Sequence, residues 1–457
     1  MKLVISKKAD INYLAKVVNI NSFHDHPNAD KLKQCSVGGF NVIVGIDYQP
    51  GLYIYFPALS QINSNFLSYA NLYRHEELNS DTTKSGLFKD NGRVEAVKLR
   101  GEVSEGFLIP ADIFTSWIIT DTNLEIENLE DGIEFDSIRD EKNNKEFWAC
   151  KKFVPKNLHR TRAEGTGGGR KRKVKKEWSK VIDTQFRFHY QTALIRKYPT
   201  AITPDDIISI TSKVNGTSGI SAYVLCKKKM TWKDKIVKWL TKEEPLIYDY
   251  IYSSRTVIKN PGYNPNVGGG YYGVDVWKYA DEVLKPYLQK GMSFYYEILG
   301  YLPTGKYIQN HYDYGFKKPT DDNYQYGVHF GIQIYRITMT NVDGLVHEFS
   351  AKEVQVWCKN HGLIPVEEFY YGRAGDLYPD LDPANHWGEN FIDRLANDKN
   401  FYMELDSPVC KNKVPHEGIV IKKENMQSAA LKLKTFRHLG KEQEFLDKGE
   451  ADIEMEN

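Results

Sequence analysis

Between Arg160 and Lys176 the chain carries Arg160, Arg162, Arg170, Lys171, Arg172, Lys173, Lys175 and Lys176 around Gly165-Thr166-Gly167-Gly168-Gly169, with no apolar periodicity. A stretch of this kind buries too little side chain to fold alone. It reads as a flexible boundary that splits the 457 residues into two foldable parts. Glycine beside basic residues also invites a phosphate-loop reading. Counted from Gly165, however, Arg170 stands where the last glycine of G-x-x-x-x-G-K-[ST] belongs, and Lys171 is followed by Arg172. A solvated linker and a non-specific phosphate contact remain the two readings. The expected division is a front unit over 1–155, the linker over 156–180, a rear unit over 181–440 and an acidic tail over 441–457.

Formal net charge is +1, so nucleic-acid binding has to rest on local patches. Cys35, Cys150, Cys226, Cys358 and Cys410 are scattered without a C-x-x-C, which argues against a disulfide framework or a cysteine zinc site. No apolar run is long enough to span a membrane. A cytoplasmic monomer without a membrane partner is the expectation.

The front unit alternates apolar and polar residues in short runs separated by turns. Val42–Ile46, Leu52–Phe56 and Arg93–Gly101 are examples, and such spacing suggests a small barrel or sandwich. Residues 60–90 are polar and turn-rich and read as an insertion. In the rear unit, Ile207-Ile208-Ser209-Ile210 delivers Lys213 into Asn215-Gly216, a hairpin signal between two β-branched runs. A lysine at such a mouth, partly desolvated, is suited to nucleophilic attack. The Lys-x-x-Gly pattern itself also occurs at Lys89, Lys98, Lys259 and Lys359, where a surface lysine near a turn suffices.

Further along, Arg255 closes the run Leu246–Ser254 and suits a phosphate, or is simply exposed. Gly268-Gly269-Gly270 reads as a loop. Val274–Gln289 has helical spacing with a kink at Pro286. Glu297 lies in the aromatic strand Phe294–Tyr301, where a carboxylate needs a partner, a metal or a ribose. Tyr335 faces away from Ile332 and Ile334, to meet a base or to fill a core. Ser350-Ala351-Lys352-Glu353 is a capping box. Glu417 enters the strand Gly418–Lys422. In Leu431-Lys432-Leu433-Lys434 both lysines share a face, unfavourable unless an anion lies between them or the strand is a solvated edge.

Two sets of residues resemble known families. His26-Pro27-Asn28-Ala29-Asp30-Lys31-Leu32 and Lys98-Leu99-Arg100-Gly101-Glu102-Val103-Ser104-Glu105-Gly106-Phe107 resemble the tRNA-binding type of OB-fold domain. In the rear unit, Lys213-x-x-Gly216, Ser254-Arg255, Tyr296-Glu297-Ile298-x-Gly300, Tyr335, Glu417-Gly418-Ile419-Val420 and Lys432-x-Lys434 follow in order over about 190–440. They resemble the covalent nucleotidyltransferases, polynucleotide ligases and RNA capping enzymes, and most of all the fifth class of RNA ligases, which carries an OB domain in front.

The resemblance implies an α+β chain: an N-terminal OB-type β-barrel followed by a nucleotidyltransferase (ligase adenylation) domain of antiparallel sheets flanked by helices. It implies an ATP-dependent ligase acting on RNA or an RNA-containing nicked duplex. Lys213 would be the nucleophile. Gly216, Arg255, Glu297, Tyr335, Lys432 and Lys434 would bind nucleotide, with Tyr335 stacking on adenine. Glu417 and Glu297 would hold Mg²⁺ or Mn²⁺. One departure stands out: the family often places glutamate before the nucleophile, and here that residue is Ser212, which puts the adenine-reading contact in doubt.

Overall fold

The computed structural model describes residues 1–155, 180–228, 230–242, 244–260, 272–320, 323–424 and 430–449. The basic linker over 156–179, the glycine run Gly268–Gly270 and the last part of the acidic tail lie outside the described residues.

The front unit comprises β1 (Lys2–Val4), β2 (Ala15–Ile20), β3 (His24–His26), β4 (Ala29–Val37), β5 (Phe40–Gly45), β6 (Gly51–Pro57), β7 (Ser60–Ile62), α1 (Ser64–Tyr69), β8 (Ala96–Leu99), β9 (Glu102–Pro110), α2 (Ala111–Thr122), β10 (Glu134–Phe135), β11 (Ser137–Asp140), β12 (Lys145–Trp148) and β13 (Cys150–Lys152). Its central sheet has the order β10-β2-β6-β9-β8. Along β2 and β6 successive side chains take opposite faces. Val17, Ile54 and Phe56 pack with Phe66, Phe114 and Trp117 under the helices. Val18, Tyr53 and Tyr55 pack instead with Val37, Phe40 and Val42 from the sheet β3-β4-β5. A sheet apolar on both faces is covered on both, by helices below and a second sheet above. Strand pairing among the described residues therefore closes no barrel, and layers replace the expected ring. Residues 60–90 are no loose insertion, because Ile62, Phe66, Leu67, Tyr73 and Phe88 all join the core.

The two motif pieces of the front unit meet. The His26 ring bonds the Leu99 carbonyl at 3.1 Å and Asn28 Nδ2 donates to the Arg100 carbonyl at 3.0 Å, latching the β3–β4 hairpin to the β8–β9 turn.

The rear unit contains β14 (Ala193–Leu194), β15 (Ile207–Ser212), β16 (Thr217–Lys227), α3 (Trp232–Thr241), β17 (Leu246–Ser254), α4 (Val276–Leu284), β18 (Met292–Gly300), β19 (Phe330–Thr340), β20 (Val346–Glu348), α5 (Ala351–Asn360), β21 (Glu368–Arg373), α6 (Ala374–Leu377), α7 (Trp387–Ala396), β22 (Gly418–Lys423), β23 (Ala430–Lys434) and α8 (Phe436–Asp447). Two five-stranded sheets carry it, ordered β14-β23-β22-β15-β21 and β17-β16-β18-β19-β20. The pairs are antiparallel except β14 with β23. The capping box at Ser350 and Glu353 forms as expected and starts α5. The amphipathic helix is shorter than its apolar spacing suggests: α4 ends at Leu284 and a 3₁₀ turn holding Pro286 follows, since proline cannot continue the α ladder.

Asn215-Gly216 does not form a hairpin. β15 and β16 belong to different sheets, and the turn passes the chain from one to the other. The Tyr314 hydroxyl clamps it, accepting from Asn215 N at 3.0 Å and donating to Asn215 O at 2.7 Å. A Cβ on Gly216 would lie 2.6 Å from the Ile298 carbonyl, so the crossing needs glycine for close approach rather than for hairpin geometry. The stretch after 440 is also not simply a tail. α8 runs through that point, and Gln443 pairs both ways with the Ala96 backbone while Asp447 meets Arg93 at 2.7 Å.

Candidate active site

Three strands of the first sheet share one pattern. Ile208 and Ile210, Ile419 and Ile421, and Leu433 are buried on the core face. The alternate residues face a cleft. Register aligns them in rows: Thr211 lies opposite Val420, and Val420 opposite Lys432; Ser209 lies opposite Lys422. Lys213 leaves the end of β15 on that same side, its backbone N–H donating to the Gly418 carbonyl at 2.9 Å. Gly418 has φ of 140°, and a Cβ there would meet the Leu433 carbonyl at 2.0 Å. Glycine therefore keeps the space between Lys213 and β23 clear.

The second sheet supplies the opposite wall. Ser218 pairs with Glu297 across β16 and β18, and its hydroxyl donates to Glu297 Oε1 at 3.0 Å and bonds the Tyr335 hydroxyl at 3.1 Å. Tyr335 is the extra residue of a β-bulge: Arg336 pairs with Tyr295 and Ile334 with Tyr296, leaving Tyr335 unopposed. Bulges re-aim a side chain beside a site, and here the ring turns into the cleft. The Trp277 indole supports this wall by donating to the Ser218 carbonyl at 2.8 Å.

The structure thus brings Lys213, Arg255, Glu297, Tyr335 and Lys432 around one cleft. Lys213 Nζ contacts Glu417 Oε1 at 2.5 Å. Glu417 is buried, so its charge requires this partner. Gly216 does not itself line this cleft, but a Cβ there would lie 3.2 Å from Glu297 Oε2, which does. Lys434 is placed differently. It does not line this cleft but faces α8, where its ammonium meets Glu442 at 3.0 Å. Burial works against ionising Glu442, yet Lys434, His438 and Lys152 prevail and hold its carboxyl below the usual range. The lysine pair on one strand face is therefore divided, one cation to the cleft and one to a buried carboxylate.

Sequence reasoning missed several members. Ser218 links Glu297 to Tyr335. Glu348 ties the two sheets together, meeting Arg336 at 2.8 Å and Lys422 at 3.1 Å. Alternation from Val420 and Lys432 was a signal for Lys422; nothing local marks Glu348. His438 and Glu442, one turn apart on α8, reach Glu417 at 3.9 Å and Lys434 respectively, and the expected boundary at 440 cuts through the helix that carries them.

Ser212, where the family often has glutamate, points its hydroxyl to His416 Nε2 at 3.1 Å, within the protein. Burial brings the His416 imidazole down to about 4, with Glu417 working the other way. The folded state thus prefers the neutral ring. Its stabilisation is complete above the unfolded value of about 6.5 and is lost as pH falls from there towards 4. Tm measured across that window should fall. His416→Asn, which keeps polar groups for Ser212 but cannot titrate, should flatten the slope.

No family model and no curated protein matches the chain. Solved structures do. A variant of the Naegleria gruberi RNA ligase with AMP and Mn aligns at a TM-score of 0.53 and 15% identity, covering 94% of this chain and 99% of that one. The Naegleria gruberi RNA ligase with PPi aligns at 0.53 and 13%, covering 95% and 100%. Another variant of it, with ATP and Mn, aligns at 0.50 and 14%, covering 94% and 99%. At these identities the likeness establishes a shared fold over nearly the whole of both chains.

Proposed function

We propose that this chain is an ATP-dependent RNA ligase that joins 3′-OH and 5′-phosphate ends through a lysyl-AMP intermediate and an adenylylated 5′ end. The observation that carries the reading is the Lys213–Glu417 contact at 2.5 Å at a cleft that gathers Lys432, Arg255, Glu297 and Tyr335 from two sheets. Solved RNA ligases with the same fold, some with ATP or AMP and Mn, support it.

In the first step the Lys213 amine attacks the α-phosphorus of ATP. An N–P bond forms, the bond to pyrophosphate breaks, and the amine's proton leaves towards Glu417, the base in contact with it. The AMP then passes to the 5′-phosphate of RNA, freeing Lys213. Lastly the 3′-hydroxyl attacks that phosphorus and AMP departs. All three are in-line transfers at phosphorus, so positioning and charge neutralisation supply the catalysis. Lys432 neutralises the α-phosphate oxygens, Arg255 binds phosphate and Tyr335 stacks on adenine. Lys434, held by Glu442, adds positive charge from further along the same face of β23.

Glu297 and Glu417 fit a hydrated Mg²⁺ or Mn²⁺. No group of three or more His, Cys, Asp or Glu able to hold a metal occurs among the described residues, and Mg²⁺ commonly takes only one or two carboxylates, completing its shell with water and substrate phosphate. Held there, such an ion would supply positive charge against the phosphate oxygens.

We also read 1–155 and 181–440 as the two working units and the basic 156–180 as their linker. The front unit would grip nucleic acid as an OB-type module, built as β3-β4-β5 laid over the central sheet. Incubating the chain with ATP and Mg²⁺ should add the mass of one AMP, and a panel of 3′-OH/5′-phosphate ends should be sealed when RNA is present. No adduct, or an adduct with GTP alone, would overturn the reading.

A further inference from the structure

Helix α3 stands outside the machinery described above, yet it carries the largest exposed aromatic side chains of the rear unit. Trp232, Ile236, Trp239 and Leu240 fall at i, i+4, i+7 and i+8, one face of the helix. That face is not covered: Trp239 is 81% exposed, and Trp232 and Leu240 67% each. Leu246 and Ile247, at the head of β17, are exposed as well. A contiguous patch of this kind marks an interaction surface.

The charges around the stripe are sorted. Among the described residues of α3 and its flanks, the acids Asp234 and Glu244 are already paired, Asp234 with Lys228 at 3.0 Å and Glu244 with Lys238 at 2.8 Å and Lys227 at 3.1 Å. Lys233, Lys235 and Lys242 make no ion pair among the described residues. Nearby, Tyr223 stacks on Tyr250 at 4.2 Å, Lys285 lies over the Tyr250 ring and Lys290 over Tyr248. The ligand that fits is an anion with flat apolar faces. A second copy would set lysine against lysine. Aromatic rings interleaved with unpaired lysines are how proteins hold an unpaired nucleic-acid strand, by stacking on the bases and contacting the phosphates.

We propose that α3 and the head of β17 form a second RNA-binding surface that takes an unpaired stretch of the substrate away from the joint. β16 runs from Ser218 in the cleft to Lys227 before α3, a span of about 30 Å at strand rise. The surface therefore holds bases several nucleotides from the ends being sealed. Trp232 and Trp239 sit two turns apart, about 10 Å along the helix axis, room for more than one base, with Ile236 between them and Leu240 just beyond Trp239 against the sugars. This rests on the RNA-ligase reading for its choice of nucleic acid.

The test uses the full chain and fluorescently labelled single-stranded RNA of about 20 nucleotides, longer than the site sizes of single-strand binding folds. Trp232→Ala/Trp239→Ala should weaken binding roughly tenfold or more. Lys233→Gln/Lys235→Gln/Lys242→Gln should lower the slope of log K against log salt by about 2. In both variants, formation of the AMP adduct should stay at the wild-type rate, while the KM for long RNA in sealing rises with kcat unchanged. Unchanged RNA binding in both variants, with the wild type active, overturns the inference and leaves the ligase reading standing. So does loss of binding to phosphatidylserine vesicles in place of RNA, which would assign the patch to a lipid surface. If the wild type neither forms the adduct nor binds RNA, the ligase reading itself has failed.

Discussion

Lys213→Ala is expected to abolish transfer of label from α-labelled ATP to the protein. The amine is the atom that becomes bonded to AMP, and no other side chain in the cleft offers a lysine at the same place. Lys432 enters from β23, one row further along the sheet, beside Val420. Because the substitution leaves Glu417 buried without its close cation, lost labelling could reflect lost stability. Lys213→Arg separates the two. A guanidinium keeps the charge against Glu417 but stays protonated and does not attack phosphorus. It should fold with a Tm near wild type and still take no label. Lys89→Ala and Lys359→Ala, at two other Lys-x-x-Gly sites, should label as wild type. Lys89 is a half-buried residue paired with Glu95 at 2.7 Å, and Lys359 lies in the last turn of α5. Labelled Lys213→Arg would remove the nucleophile from its place.

How far the sequence spoke for the structure depended on the range of the interaction. Short-range pattern marked β15, β22 and β23 as strands, and in β23 alternation also separated the leucine face from the lysine face, because period-2 burial is written in neighbouring residues. The capping box is local too, and α5 begins where Ser350 and Glu353 require. The turn at Asn215-Gly216 misled for the same reason. A short-range hairpin signal was overridden by Tyr314, a hundred or so positions away in sequence, which holds the crossing between sheets. The front unit shows a similar limit: alternation revealed strands, while the layering came from β6 being apolar on both faces. Ser218, Glu348 and Glu442 act through partners on distant strands or helices, and nothing in their own neighbourhoods announced them. Tyr335 was legible as a face, but the bulge that aims it depends on β18.

Glu417→Gln should slow adduct formation by roughly a hundredfold or more, the range for losing a group that moves a proton or holds developing charge. The amide preserves volume, so the packing around Ile419 and His438 is retained. What disappears is the charge that fixes the Lys213 amine at 2.5 Å and is placed to receive its proton. An amide oxygen can still accept a hydrogen bond from the lysine, so the ATP affinity should change far less than the rate. Single-turnover measurements over a range of ATP at saturating Mg²⁺ resolve the two, as a fall in the maximal rate of adduct formation with little change in the half-saturating ATP concentration. Glu297→Gln provides the contrast. Its carboxylate is held by Ser218, not by the nucleophile, so its loss should weigh more on nucleotide and metal affinity than on the attack. If Glu417→Gln forms the adduct within about threefold of wild type, the contact in the structure is an ion pair of the resting enzyme and the proton leaves by another route.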